Sequence, residues 1–313
     1  SVVHGDMNGV QITGLANLAG GTMRGVQLAG ISNISGNNTV GLSAAGLVNI
    51  TGDRTQGVII SGLTSIGGDN TSGLMISGFM NVTGNMASGL HFSGAANITG
   101  QSFGGLMASG LLNVVGEHMN GLQIAGIANI TASKLNGVQI ALCNYATQAR
   151  GLQIGLVNYY KEDMKGFQLG LVNANPDTRV QMMVYGGNAT PVNIGVRFKN
   201  QLFYTILGVG SMYQGLNDKF SASASYRAGL SFPLYKGLSI SGDLGYQHIE
   251  AFDNKDEVIP KRLYALQARA NLEYQFTRKF GIYATGGYGL TRFYNKSSNY
   301  DKGAIIEAGI VLF

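Results

Sequence analysis

The sequence is short of most features that would point to a reaction or a soluble extended chain. Cys143 is its only cysteine, so no disulfide can form within the chain. It stands at an apolar repeat position and reads as a buried, inert thiol. Four prolines in 313 residues exclude collagen and a proline-rich disordered chain. Charged residues make up 12%, about half the usual share, while the 45% apolar content is too high for disorder. No apolar run approaches the ~20 residues of a membrane helix. The net charge of +5 is diffuse, without a basic run or basic–aromatic interleaving, so nucleic acid is not an expected partner.

Glycine is present in excess, 48 residues, about twice the average share of ~7%, and it is periodic. Gly9, Gly25, Gly41, Gly57, Gly73, Gly89, Gly105, Gly121 and Gly137 follow at steps of 16. A second glycine lies five residues on, from Gly14 to Gly126, and a third eleven on, from Gly20 to Gly116. The unit reads G-φ-x-φ-x-G-φ-x-N-φ-x-G-x-x-x-x, with φ apolar. Its apolar alternations, such as Val10/Ile12 and Leu15/Leu18, are short and bounded by glycine, which predicts short strands and tight turns. One unit is then one coil of a parallel β-solenoid. Glycine serves corners that need φ > 0, and stacked coils bury a shared apolar core. After Gly137 the steps shorten to 14 and 15, at Gly151 and Gly166, as in a tapering cap or a joint.

Asn17, Asn33, Asn49, Asn81, Asn97, Asn113 and Asn129 form one column, broken by Ser65. An amide at one place in every coil predicts a structural hydrogen-bond ladder, and the Asn-x-Ser/Thr sequons within it are by-products. The outward positions are expected to be bland, mostly Gln, Ser, Thr and Ala. A partial threonine column (Thr51, Thr83, Thr99, Thr131) is too interrupted for an ice-binding face.

Charge changes near residue 178. Residues 1–178 carry six basic and seven acidic residues, and 179–313 carry fifteen and nine. This predicts a solenoid domain over 1–177 and a second domain over 178–313. In the second, the period becomes a sustained two. Tyr264, Leu266, Ala268, Ala270, Leu272, Tyr274 and Phe276 alternate with Gln267, Arg269, Asn271, Glu273 and Gln275, with aromatics at both ends of the apolar face. That is the pattern of a transmembrane β-strand. Eight strands are predicted: 179–187, 191–199, 202–213, 220–232, 237–249, 263–276, 279–294 and 303–313. An even count suits a closed antiparallel barrel. Eight strands leave room inside only for side chains, so Arg197, Arg227, Asp243, Arg269, Glu273 and Glu307 are expected to pair within it. The barrel then acts as an anchor rather than a general pore.

The closing Gly309-Ile310-Val311-Leu312-Phe313 resembles the C-terminal signal of outer-membrane barrels. The runs Gly151–Asn158 and Gly166–Asn173 resemble the GVQIGLVN-like repeats of the surface-repeat outer-membrane proteins of Bacteroidota and spirochaetes. The resemblance implies an outer-membrane barrel carrying a repeat domain and brings no biochemical activity. An outer-membrane chain needs a leader, absent at Ser1, so one is expected to have been removed. The chain also starts in mid-repeat.

Short turns near 199–201, 233–236 and 277–279, against longer connections at 214–219, 250–262 and 295–302, put the C-terminus and the solenoid in the periplasm. The resembling family's surface label points the other way. No catalytic, cofactor or metal constellation is evident. His248 and Glu250 are the nearest to one, at the end of a strand, without an identifiable serine. His4, His91 and His118 lack metal-site spacing. The expectation is a non-enzymatic, outer-membrane-anchored binding or scaffold protein. Its partners would be outer-membrane lipid with a protein or an envelope polysaccharide such as peptidoglycan, within a larger complex or alone. The alternatives are a lipid- or glycan-modifying enzyme and a surface adhesin.

Overall fold

A computed structural model of the chain describes residues 1–211, 220–252, 262–294 and 299–312, with the side chains of 299 and 300 excepted. The described residues are strands and their connections, without helix. They form two compact units, Ser1–Gly170 and Leu171–Phe313. The charge step near 178 lies just before the first barrel strand, Arg179–Gly187.

The first unit is a parallel β-solenoid. Through Ala125 each coil contributes one long and one short strand, for example Asn70–Ser77 and Met80–Thr83, and in the later coils the two run together, as in Ala128–Ile140. Each pairs in parallel with its equivalents 16 residues before and after: Gly73 with Gly57 and Gly89, Asn81 with Ser65 and Asn97. Eleven glycines of the first column, Gly9 to Gly166, have φ between +108° and +148°. Only glycine holds that backbone without strain. The second column needs glycine for another reason, since its φ values are ordinary. A Cβ on Gly78 would lie 2.1 Å from the carbonyl oxygen of Gly62, one rung below. The shorter steps after Gly137 are absorbed by register shifts between Thr131 and Lys134 and between Ala146 and Gln148. The coils otherwise continue, with Gly151 over Gly137 and Gly166 over Gly151.

The solenoid differs from expectation in which side of its strands is buried. Period-two alternation holds, but its sense is inverted. Val10, Ile12 and Leu15 are 67%, 66% and 69% exposed, whereas Gln11 and Asn17 are buried. The interior is lined by Asn, Gln, Ser and Thr together with methionine and alanine, and its apolar side chains cluster at Met7, Ala19 and Met23 in the first coils and at Phe103, Met107, Met119 and Leu135 in the later ones. Cys143 is accordingly exposed, not buried. The threonine column at 51, 83, 99 and 131 faces inward.

The second unit is a closed antiparallel barrel of eight strands: Arg179–Gly187, Val192–Asn200, Phe203–Ser211, Ser221–Tyr235, Leu238–Ala251, Arg262–Thr277, Phe280–Phe293 and Asn299–Leu312. The last pairs with the first, Met182 opposite Leu312 and Gly187 opposite Glu307, and so closes the ring. Tyr235 pairs with Leu238 across a two-residue turn in which Lys236 and Gly237 both have positive φ, 30° and 89°. That turn twists with the strands it joins. Of the connections expected to be long, 214–219 lies outside the described residues and 250–262 and 295–302 do so in part, as does Phe313.

Candidate functional site: polar interiors and apolar exteriors

Each unit organises its polar groups inward. In the solenoid the inward amides form a ladder. Asn17 Nδ2 donates to Asn33 Oδ1 at 2.9 Å, and Asn33 to Asn49 at 3.0 Å. The ladder resumes from Asn81 through Asn97 and Asn113 to Asn129 at 2.8–2.9 Å, and then passes to Asn144 and Asn158. Each of these amides also donates to a backbone carbonyl at the corner of the next coil, as Asn97 does to Ala108 at 2.8 Å. At the Ser65 break the chain of hydrogen bonds detours through hydroxyls. Asn49 donates to Ser61 at 2.7 Å, Ser61 and Ser65 are 2.7 Å apart, and Ser77 joins Ser65 at 2.9 Å to Asn81 at 2.6 Å.

A second amide ladder is formed by glutamines expected on the outside, which the structure turns inward. Gln27 donates to Gln11, and Gln168, Gln153, Gln139 and Gln123 join in sequence at 2.8 Å. The signal is the recurrence of glutamine in one column at both ends of the solenoid, at Gln11 and Gln27 and again from Gln123 to Gln168. In the middle coils this column holds Ser43, Ile59, Met75, His91 and Met107 instead. His91 lies edge-on to Phe103, centroids 4.9 Å apart, and its Nε2 has no hydrogen-bond partner. Burial pushes the imidazole down from 6.5 to about 4, so it is neutral at pH 7.

In the barrel the six expected charges meet inside. Arg197 grips Glu273 with two prongs, Nη1–Oε2 2.6 Å and Nη2–Oε1 3.0 Å, and also donates to Gln181. Arg227 grips Asp243 at 2.9 and 2.8 Å, and Arg269 grips Glu307 with both bonds at 3.1 Å. Arg227 also approaches Glu307 at 3.6 Å. Tyr204 and Asn271 donate to Asp243 at 2.7 and 2.8 Å. Three guanidinium groups thus neutralise three carboxylates, each pair held by two forked hydrogen bonds, while Nη1 of Arg227 and of Arg269 is buried without a hydrogen-bond partner. Arg197–Glu273 and Arg227–Glu307 join strands four apart in an eight-strand ring, so both cross the lumen.

The outside of the barrel is apolar. Ile194, Leu230, Ile240, Leu244, Leu272 and Ile306 all face outward. Aromatics gather at the two ends: Tyr246, Tyr264 and Tyr294 at one, Tyr274, Phe276 and Phe280 at the other. Tyr264 and Tyr274 are ten residues apart on one strand. At ~3.3 Å per residue and ~40° tilt, that places the two aromatic zones about 25 Å apart.

His248 stands in one aromatic zone. Its Nδ1 is 2.9 Å from the Tyr294 hydroxyl and its Nε2 3.4 Å from Glu250, which Arg262 holds at 3.0 Å. A phenol and an ion pair surround this imidazole, and the serine of a lipid hydrolase is not among these groups. Asp69 accepts from Asn70 at 2.8 Å and from Asn85, so amides use both of its oxygens. Among the described residues, no three His, Cys, Asp or Glu side chains cluster as metal ligands. His4 and His118, like His91, lie on separate parts of the solenoid.

No known protein family matches the chain, and no curated protein does. Among solved structures, the N-terminal β-barrel domain of Pseudomonas aeruginosa OprF is similar at 16% identity. The match covers 42% of this chain and 93% of that one with a TM-score of 0.29.

Proposed function

We propose that this chain is a non-enzymatic outer-membrane protein in which the barrel is the membrane anchor and the solenoid a scaffold. The observation that carries this reading is the barrel's polarity: three ion pairs inside and an apolar belt outside, bounded by aromatics. Lipid cannot hydrogen-bond an open sheet edge, and a closed barrel has none. The belt matches the ~25 Å apolar height of such barrels. The three buried ion pairs within the lumen favour an anchor over a pore. The outward columns of the solenoid offer few polar groups, so an apolar partner suits them better than a glycan or peptidoglycan.

An eight-strand barrel returns the chain to the side it started from. With short turns on the periplasmic side, the solenoid belongs to the periplasm. Two measurements test the reading. The full chain should fractionate with outer membranes, resist alkaline extraction and migrate faster on unboiled than on boiled gels. Recovery as a soluble monomer sinks the anchor. An epitope in the Asp53–Arg54 loop should stain only permeabilised cells. Staining of intact cells reverses the sidedness and favours a surface adhesin.

A further inference from the structure

Around each coil of the solenoid the outward side chains divide into two sectors. Five columns are apolar. They run upward from Val10, Ile12, Leu15, Ala16 and Leu18 through register-matched equivalents such as Leu90, Ile60, Phe79, Met80 and Ile98. Not one Asp, Glu, Lys, Arg or His occupies them between Val10 and Leu169. The only polar exceptions are Ser32, Thr64, the thiol of Cys143 and the stacked phenols of Tyr145 and Tyr159. The charged side chains are gathered on the remaining edge, among them Arg24, Asp53, Arg54, Asp69, Glu117 and Lys134.

Three properties decide what covers the apolar sector. The first is size. Eleven rungs at ~4.8 Å, by nine residues at ~3.3 Å, outline about 1,500 Å². Monomers rarely expose contiguous apolar patches above a few hundred Å², and a standard interface takes ~800 Å² from each partner. The second is shape. The sector turns a corner at Gly14-Leu15 and its equivalents, so a compact protein or a second copy seated on one side leaves the other bare. Acyl chains cover both. The third is chemistry. A protein interface carries a polar rim and about one hydrogen bond per 100–200 Å², whereas these columns offer almost no donors or acceptors. Backbone groups pair rung to rung between the first and last coils, as lipid requires. The side-chain amides are turned inward to each other. The same inversion, polar within and apolar without, marks the barrel.

We infer that the solenoid is itself a lipid-binding element, lying along the bilayer with its apolar sector in the acyl chains of one leaflet and its charged edge toward water. This rests on the outer-membrane reading above. The test uses the full chain in phosphatidylcholine vesicles with and without doxyl-labelled lipid, and an environment-sensitive fluorophore on single cysteines. Cys143 of the unaltered chain is one site, since it is exposed within the apolar sector. In a Cys143→Ala background, Leu47→Cys samples the sector, Ser72→Cys the charged edge and Leu244→Cys the outside of the barrel. The expected result is that doxyl lipid quenches the probes at 143 and 47 as strongly as the one at 244, while aqueous iodide quenches only the probe at 72. Quenching by doxyl lipid at 244 but not at 143 or 47 overturns the inference and leaves the barrel anchor standing. In that case iodide access means a bare surface, and its absence means a protein cover. No lipid quenching at 244 removes both readings together.

Discussion

Arg197 and Glu273 face each other across the barrel lumen from strands four apart, joined by two hydrogen bonds of 2.6 and 3.0 Å, and both are buried. Removing one partner strands the other's charge. Glu273→Gln should destabilise the barrel by about 3–5 kcal/mol, read as a lower temperature for conversion of the fast-migrating folded band on gels. Arg197→Met with Glu273→Met should recover most of that loss. If single and double variants lose equally, the pair does not act as a unit.

The same crossed lumen predicts electrical silence. The wild-type chain in a planar bilayer should show no stepped conductance, because side chains fill an eight-strand interior. Steps that persist at high salt would mean that the Arg197–Glu273 and Arg227–Glu307 ties open.

The amide ladder is testable at Asn97, which donates to Asn113 and to the carbonyl of Ala108 and accepts from Asn81. Asn97→Ala orphans that carbonyl inside a dry coil. Each such buried orphan costs about 1–3 kcal/mol, so hydrogen exchange in the flanking strands should accelerate accordingly. Exchange unchanged from wild type would show that water enters the coil and replaces the amide.

Glycine requirements differ between positions of the solenoid. At Gly73, φ is +119° and a Cβ would sit 2.1 Å from the Gly57 carbonyl oxygen, whereas a Cβ at Gly104 meets nothing. Gly73→Ala should cost on the order of 1–3 kcal/mol from the strained conformation alone, and Gly104→Ala should be neutral to within about 0.5 kcal/mol. Equal midpoints in denaturant for the two would refute the assignment.

His91 is expected to make the solenoid acid-sensitive. Its imidazole titrates near 6.5 when free and is lowered to about 4 by burial. Between those values the unfolded chain takes up a proton the folded chain refuses. Its contribution to stability is therefore complete above pH 6.5 and falls by about 3 kcal/mol as the pH drops to 4. His91→Met, matching Met75 and Met107 in the same column, should abolish that slope. Persistence of the slope would place the titrating group elsewhere.

The barrel was legible to within a residue or two at most strand ends, because aromatics bound its alternation and glycine or charge marks its turns. Its six interior charges followed from the same alternation, since Arg269 and Glu273 share a parity on their strand and Leu266 and Leu272 hold the other. The solenoid coil was legible from Gly9, Gly14 and Gly20 and their repeats. Which side of it is the inside was not. A period of two separates Val10 from Gln11 without saying which faces water, and the usual preference for apolar cores chose the wrong side. Cys143 was misplaced by the same choice. The information lay in the columns themselves: glutamine held at one position through Gln123, Gln139, Gln153 and Gln168 is a register-matched ladder, whereas a solvated position would drift.

Rungs in matched register also make length a separable property of the rod. From Gly9 to Gly137 each residue sits directly over the one 16 before it. Excising residues 86–101 would bring Asn113 over Asn81 and Gly105 over Gly73, reproducing the seams already present, and duplication of the same stretch would do likewise. A gene encoding such a chain can lengthen or shorten its product by whole turns through simple recombination, altering how far the rod reaches while keeping the glycine and asparagine columns in register.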